Sequence, residues 1–198
     1  MSAARALRHA TAPPIADRAL IDAARAGDHA AYTELYQRYA GRVFARLTHL
    51  VGPTGDREDL LQQVFFELYR ALPRFRGDSS ISTFIHGIAA HVAIDHLRRR
   101  RRRPLGVSEI DLDELIGETT TPEHHASRRD ELARVLALLD HIKPDKRVAF
   151  ALVAIAGLSL DEAAEQLNAN IDVIKQRVLR TRRELLAMIE RAERRSQR

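Results

Sequence analysis

Apolar residues recur at three- and four-residue steps through most of the chain, the pattern of helices that each turn one face inward. From His29 to Val51 the stripe is Tyr32, Leu35, Tyr36, Tyr39, Val43 and Leu47, and Gly52-Pro53 ends it. A shorter helix is expected before it, about Asp17 to Ala26, halted by Gly27-Asp28. Asp56 stands at an N-cap position, and Glu58 and Asp59 fall in the first turn of a third helix. That helix carries Leu60, Leu61, Val64, Phe65 and Leu68 inward and ends at Pro73. Arg74 to Ser80 reads as a loop. Ser82 to Arg103 reads as a fourth helix, with Phe84, Ile85, Ile88, Ala89, Val92 and Leu97 inward and consecutive arginines from Arg98 to Arg103 at its end. No stretch alternates as a half-buried strand does, so the expected fold class is all-α.

The pattern lapses over residues 104–125, where Pro104, Gly106, Gly117 and Thr119-Thr120-Thr121-Pro122 stand among acids. Such a segment lacks the apolar surface that offsets ordering entropy, and it reads as a linker with at most a helical turn at Asp111 to Ile116. Periodicity returns near Ala126 with Leu132, Val135, Leu136 and Leu139, and Lys143-Pro144 opens another helix to about Ala156. Ser159 and Glu162 then form a capping-box pattern before a short helix, Leu160 to Leu167. A turn at Asn168-Ala169-Asn170 leads into a long basic helix, about Ile171 to Glu193, on which Ile174, Val178, Leu185 and Ile189 are expected core. A short helix, a tight turn and a basic helix make the helix-turn-helix pattern.

Composition narrows the class of function. Hydrophobic residues at 45% supply a core, while the absence of cysteine removes disulfides, thiolate metal sites and cysteine nucleophiles together. No apolar run approaches the roughly 20 residues that span a bilayer, and the N-terminus has no apolar signal region, so a cytoplasmic chain is expected. The net charge of +5 is unevenly spread: +7 over residues 1–103, −6 over 104–125 and +4 over 126–198. All but three of the 32 basic residues are arginine, which either marks bidentate phosphate and guanine contact or follows a GC-rich genome. An enzyme is not expected. There is no phosphate-binding glycine loop or metal motif, and His86, His91 and His96 step by five residues, which keeps them off one shared helix face.

Two stretches carry a family resemblance. "GDHAAYTELYQRYAGRVFARL", with "EDLLQQVF", "LPRFRG" and "STF … AIDHLRR" in order after it, resembles the promoter-melting domain of bacterial RNA polymerase sigma factors. "IKPDKRVAFALVAIAGLSLDEAAEQLNANIDVIKQRVLRTRRELL" resembles their C-terminal helix-turn-helix domain. Two such domains and a short connector are similar to the extracytoplasmic-function type. The resemblance implies a disordered extension over 1–15, region 2 over 16–103, the linker over 104–125 and region 4 over 126–198.

It also implies partners and sites. Asp59, Leu60, Gln62, Gln63, Phe66 and Glu67 correspond to the surface that docks on the clamp of the largest subunit of core RNA polymerase. The acids there equally suit the helix dipole. Arg74, Phe75, Arg76, Asp78, Ser79, Ser80, Ser82 and Thr83 correspond to the loop that captures an unstacked base of the −10 element, a task that needs hydrogen-bonding groups beside an aromatic wall. Asp78 alternatively caps the following helix.

Phe84, His91, His96, Arg98 and Arg99 would track the separated strand, with the arginine run on phosphates. A solvated helix end is the plainer reading of that run. Asn170, Asp172, Val173, Lys175, Gln176, Arg177 and Arg180 would enter the major groove of the −35 element. The acidic linker corresponds to the connector that threads polymerase, or is a plain tether.

The sequence departs from the family at Phe84, where Trp is usual, and at Gly87 and Ala90, near which basic residues are usual; a narrower or weaker −10 preference follows. Further implied partners are promoter DNA, the flap of the second-largest polymerase subunit and an anti-sigma factor, with no cofactor, no metal and no membrane insertion. Two other readings of the residues are a helix-turn-helix regulator that works without polymerase, and a polymerase or anti-sigma interaction protein.

Overall fold

The structure, a computed structural model, describes residues 15–52, 54–102 and 138–196. The N-terminal extension, the acidic linker and most of the helix expected from Ala126 lie outside the described residues. Within them every regular element is helical. The helices are α1 (Ile15–Arg25), α2 (His29–Val51), α3 (Arg57–Ala71), α4 (Ile81–Arg102), α5 (Pro144–Phe150), α6 (Leu160–Gln166) and α7 (Ile171–Ser196).

Their limits follow from local chemistry. Asp28 caps α2, its carboxylate accepting from the backbone N–H groups of Ala30 at 2.8 Å and Ala31 at 3.2 Å. At the other end Gly52, at φ +85°, turns the chain away and leaves the last α2 carbonyls without helical partners. Asp56 precedes α3 but makes no capping hydrogen bond, in contrast to the expectation; its carboxylate lies 3.7 Å from His96 Nε2 instead. A single 3-10 turn, Leu72–Arg74, takes up Pro73. The capping box at α6 is complete, with Ser159 Oγ accepting from the Glu162 N–H and the Glu162 carboxylate accepting from the Ser159 N–H. α5 runs on into a π-helical turn, Ala151–Ile155, which widens the helix before Gly157.

α2 is the central helix, packed on α1, α3 and α4 through Leu35, Tyr39, Val43 and Leu47. The second block does not stand apart. α5 and α6 pack on α4, α5 also reaches α2, and the buried side chains form one continuous core from Ile21 in α1 to Ile174 in α7. Arg147 of α5 fastens the two blocks: only 2% exposed, it donates from Nε to the Leu50 carbonyl at 3.2 Å and from Nη2 to the Val51 carbonyl at 2.8 Å. Its remaining Nη1 pairs with Asp140.

Leu68 is fully buried where α3 meets this core. Leu68→Ala is expected to lower unfolding stability by about 2–5 kcal/mol, read from urea denaturation.

Candidate polymerase and promoter interfaces

On the first block, α3 presents one face to solvent. Asp59 and Gln62 are exposed, Gln63 and Glu67 half-buried, and Phe66 is 60% exposed despite being a large aromatic. Leu60, expected on this surface, is instead 3% exposed and belongs to the core: it lies one helical turn from Val64 on the inward stripe. Two residues not foreseen extend the surface, Tyr69 at 47% and Tyr36 at 38% exposed. Tyr36, whose spacing predicts a core position, meets Phe65 in a tilted pair with ring centroids 4.6 Å apart and keeps one side open. Tyr32 braces the patch from beneath, donating its hydroxyl to the Phe65 carbonyl and meeting Tyr69 edge-on at 5.3 Å. Burial, and then Tyr69, push the Tyr32 hydroxyl up to about 12, so it remains a donor. A cluster of exposed rings with polar neighbours is the anatomy of a protein docking site.

The loop before α4 brings Phe75 and the serines expected there against the start of that helix. Phe75 is buried and packs on Phe84 with ring centroids 4.9 Å apart, giving an aromatic wall. Ser80, not Asp78, caps α4: its Oγ accepts from the Thr83 N–H at 3.0 Å and bonds the Thr83 hydroxyl at 2.9 Å. Arg74, Arg76 and Asp78 are exposed around Gly77, whose φ of +82° makes the bend; Ser79, Ser82 and Thr83 are half-buried. A cavity of about 230 Å³ opens between this loop and α1, lined by Arg18, Asp22, Arg25, Phe75, Arg76 and Ile81 among others. The α1 arginines were invisible to motif reading because only the fold brings them to the loop.

Along α4, His91 is exposed and its Nδ1 lies 2.8 Å from the Gly87 carbonyl. His96, expected on the separated strand, has a side chain only 12% exposed beside Asp56. The arginine run is also engaged. Arg98 bonds Asp145 at 2.9 Å, Arg99 reaches Gln63 at 3.4 Å, Arg100 meets Asp140 at 3.5 Å and Arg101 donates to the Ile142 carbonyl at 3.2 Å. Between α3, α4 and α6 a groove of about 660 Å³ remains.

On the second block, Asn168 turns the chain with φ +45°, a left-handed conformation that asparagine tolerates. Asn170 then caps α7, accepting from the Asp172 N–H at 2.8 Å. Ile174 is fully buried and Thr181 holds α7 to α5 through the Lys146 carbonyl at 3.3 Å. That leaves Asp172, Val173, Lys175, Gln176 and Arg180 exposed along the start of the helix, with Arg177 half-buried. Ile189, expected in the core, is 39% exposed, because α7 outruns the helices it packs on.

Four helices packed around a common core followed by a helix-turn-helix, each block with its own exposed polar face, define a two-part all-helical protein. Sigma-70 region 2 matches residues 35–103 and sigma-70 region 4 matches residues 132–185. The chain is 30% identical over 176 residues to the ECF RNA polymerase sigma-E factor of Escherichia coli, covering 85% of this chain and 91% of that one. It is also 30% identical over 174 residues to the RNA polymerase sigma-H factor of Pseudomonas aeruginosa, covering 84% and 90%. Among solved structures it resembles CnrH in complex with the cytosolic domain of CnrY (TM-score 0.59, 26% identity, 88% of this chain and 97% of that one). The sigma factor RpoE of Bartonella quintana, in complex with the anti-sigma factor NepR, shares the fold (TM-score 0.57, 18% identity, 80% and 96%). The chain belongs to the extracytoplasmic-function family of RNA polymerase sigma factors. Among the described residues no helix is long and apolar enough to cross a membrane, and no cluster of His, Asp and Glu could hold a metal ion.

His86 of α4 is buried and pushed down to about 4, by burial first and then by Arg46 and Arg42 of α2. His96 and His49 are lowered as well, again chiefly by burial. Unfolded, these histidines titrate near 6.5, so the packed chain has its full stability above that pH and loses it as pH falls toward 4. The thermal midpoint is expected to drop across this window, and His86→Gln to flatten the drop.

Proposed function

We propose that this sigma factor divides its work between the two blocks: region 2, residues 16–103, docks on core polymerase and opens the −10 element, and region 4, residues 126–198, reads the −35 element. The observation that carries this is the pair of separate exposed faces, the aromatic patch of α3 in one block and the polar start of α7 in the other. Gln62, Gln63, Phe66 and Glu67, joined by Tyr36 and Tyr69, form the face for the polymerase clamp. The loop from Arg74 to Ser80, with the Phe75–Phe84 wall, receives an extruded base. Ser82, Thr83, His91, Arg98 and Arg99 guide the separated strand.

At the start of α7, Lys175 or Arg177 would meet guanine or phosphate and Gln176 would meet adenine. The same block would meet the flap of the second-largest subunit, and residues 104–125 would connect the two through polymerase. The chain acts by binding rather than catalysis, in the cytoplasm where polymerase and chromosome meet. The likeness to CnrH, seen with the cytosolic domain of CnrY, supports an anti-sigma partner. A polymerase-independent regulator would leave the α3 patch without a role.

Transcription with purified core enzyme on genomic fragments tests the reading, and failure to initiate on all of them would reject it. Gln62→Ala with Phe66→Ala is expected to weaken core binding by tenfold or more, since a central aromatic anchor typically contributes about 2 kcal/mol or more; fluorescence anisotropy measures it. Lys175→Ala with Arg177→Ala is expected to lower initiation at promoters with an upstream element by about tenfold while core affinity stays unchanged. Equal loss of both would contradict the division of labour.

A further inference from the structure

The loop before α4 separates two hollows of opposite charge. Toward α3 and α4 the larger one is bordered by Glu67, Asp95 and Glu165, with no Lys or Arg among its described lining residues. Toward α1 the smaller one, of about 230 Å³, is lined by Arg18, Arg25 and Arg76, with Asp22 the one carboxylate among its described lining residues. Ser79 borders both. The positive side is a product of packing. Arg18, Asp22 and Arg25 stand at four- and three-residue steps, which places them on one face of α1. Ile21 and Ala24 are buried, and α1 packs on the 3-10 turn that leads into the loop, so this face comes to lie beside it. Arg76 completes the set from the loop itself, next to the bend at Gly77.

We propose that the cavity on the α1 side is a nucleotide phosphate site. Arg18, Arg25 and Arg76 hold the phosphate of the extruded nucleotide while Phe75 and Ser79 meet its base, so α1, which no motif marks, takes part in strand capture. This rests on the reading of the loop as the base-capturing element. A guanidinium forks onto two phosphate oxygens at once, and several in one concavity focus a positive field that steers an anion inward. The pairing now present there is weak enough to be replaced, since Arg25 meets Asp22 at 3.5 Å with both side chains exposed. Ser79 Oγ reaches the Ser80 carbonyl only at 3.5 Å, which leaves the hydroxyl for a base edge. Phe75 supplies aromatic surface for a base to stack on. The volume falls below the roughly 300–1,000 Å³ typical of sites for larger ligands, and it suits a single nucleotide. The other hollow offers a phosphate no cation, so the two signs decide on which side of the loop the nucleotide enters.

A nucleotide phosphate can belong to the separated strand or to a free nucleotide, and two measurements tell these apart. The first is the anisotropy of a fluorescein-labelled, mixed-sequence single strand on core enzyme carrying the full-length chain, set against core alone. The second is calorimetric titration of the full-length chain with the four deoxynucleoside monophosphates. Arg18→Gln and Arg25→Gln are each expected to weaken strand binding about fivefold for all sequences alike, and to reduce the slope of log affinity against log salt by about 0.7. Arg18→Lys, which keeps the charge, is expected to keep the slope. Asp22→Asn is expected to tighten strand binding about threefold, a gain that misfolding cannot produce. Ser79→Ala is expected to change which bases are preferred and leave the slope alone.

Unchanged strand affinity and salt slope in Arg18→Gln, Arg25→Gln and Asp22→Asn, with core binding intact, would overturn the proposal. Monophosphate binding that Arg18→Gln abolishes, with the strand measurement unmoved, would overturn the strand as occupant and assign the site to a free nucleotide. Failure of the sigma reading looks different, because the wild-type chain then neither binds core nor initiates on any genomic fragment, and both readings fall together.

Discussion

A buried guanidinium needs several acceptors or it cannot be buried at all, and Arg147 finds them in the free end of α2. The last carbonyls of a helix have no partners within it, and the α2 dipole concentrates negative partial charge there. Gly52 turns the chain aside at that point, so Leu50 and Val51 present their oxygens to the second block. Asp140 completes the set and supplies the balancing charge. Burial lowers the Arg147 pKa, and Asp140 opposes that shift. Removing one partner from such an arrangement leaves a charge stranded in the core, which typically costs about 3–5 kcal/mol. The position of region 4 on region 2 is therefore directional as well as apolar.

That placement explains several features that look unrelated along the chain. Gly87 lies where α6 crosses α4, and a Cβ there would stand 3.0 Å from the Gln166 backbone oxygen. The arginine run is held by region 4 at Asp145, Asp140 and the Ile142 carbonyl as well as by Gln63. By contrast Phe66 and Tyr69 of α3 and the residues at the start of α7 stay exposed, while Gln63 and Glu67 border the groove between α3, α4 and α6.

Much of the fold was legible because helical periodicity and caps are local. The limits of α2, the capping box of Ser159 and Glu162 and the polar face of α7 all follow from residues within a few positions of one another. Errors arose where one turn of rotation decides exposure. Leu60 is core, as its apolar stripe predicts and against its place in the docking surface that the resemblance implies, whereas Tyr36 is half open although it lies on an apolar stripe, since a stripe says which face is apolar and not how far the neighbouring helix covers it. Ser80 rather than Asp78 caps α4 because the bend at Gly77 carries Asp78 outward.

What the amino-acid order determined by itself is the set of helices, the two blocks and the chemistry offered at each surface, since all of these are written in short-range spacing and in charge. What only the tertiary structure decided is which of those surfaces the free chain exposes. Arg147 and the Leu50 carbonyl are 97 residues apart, and Arg98 and Asp145 are 47. No local pattern encodes such a pairing. It emerges when the end of one helix leaves carbonyls that a distant, buried cation must satisfy.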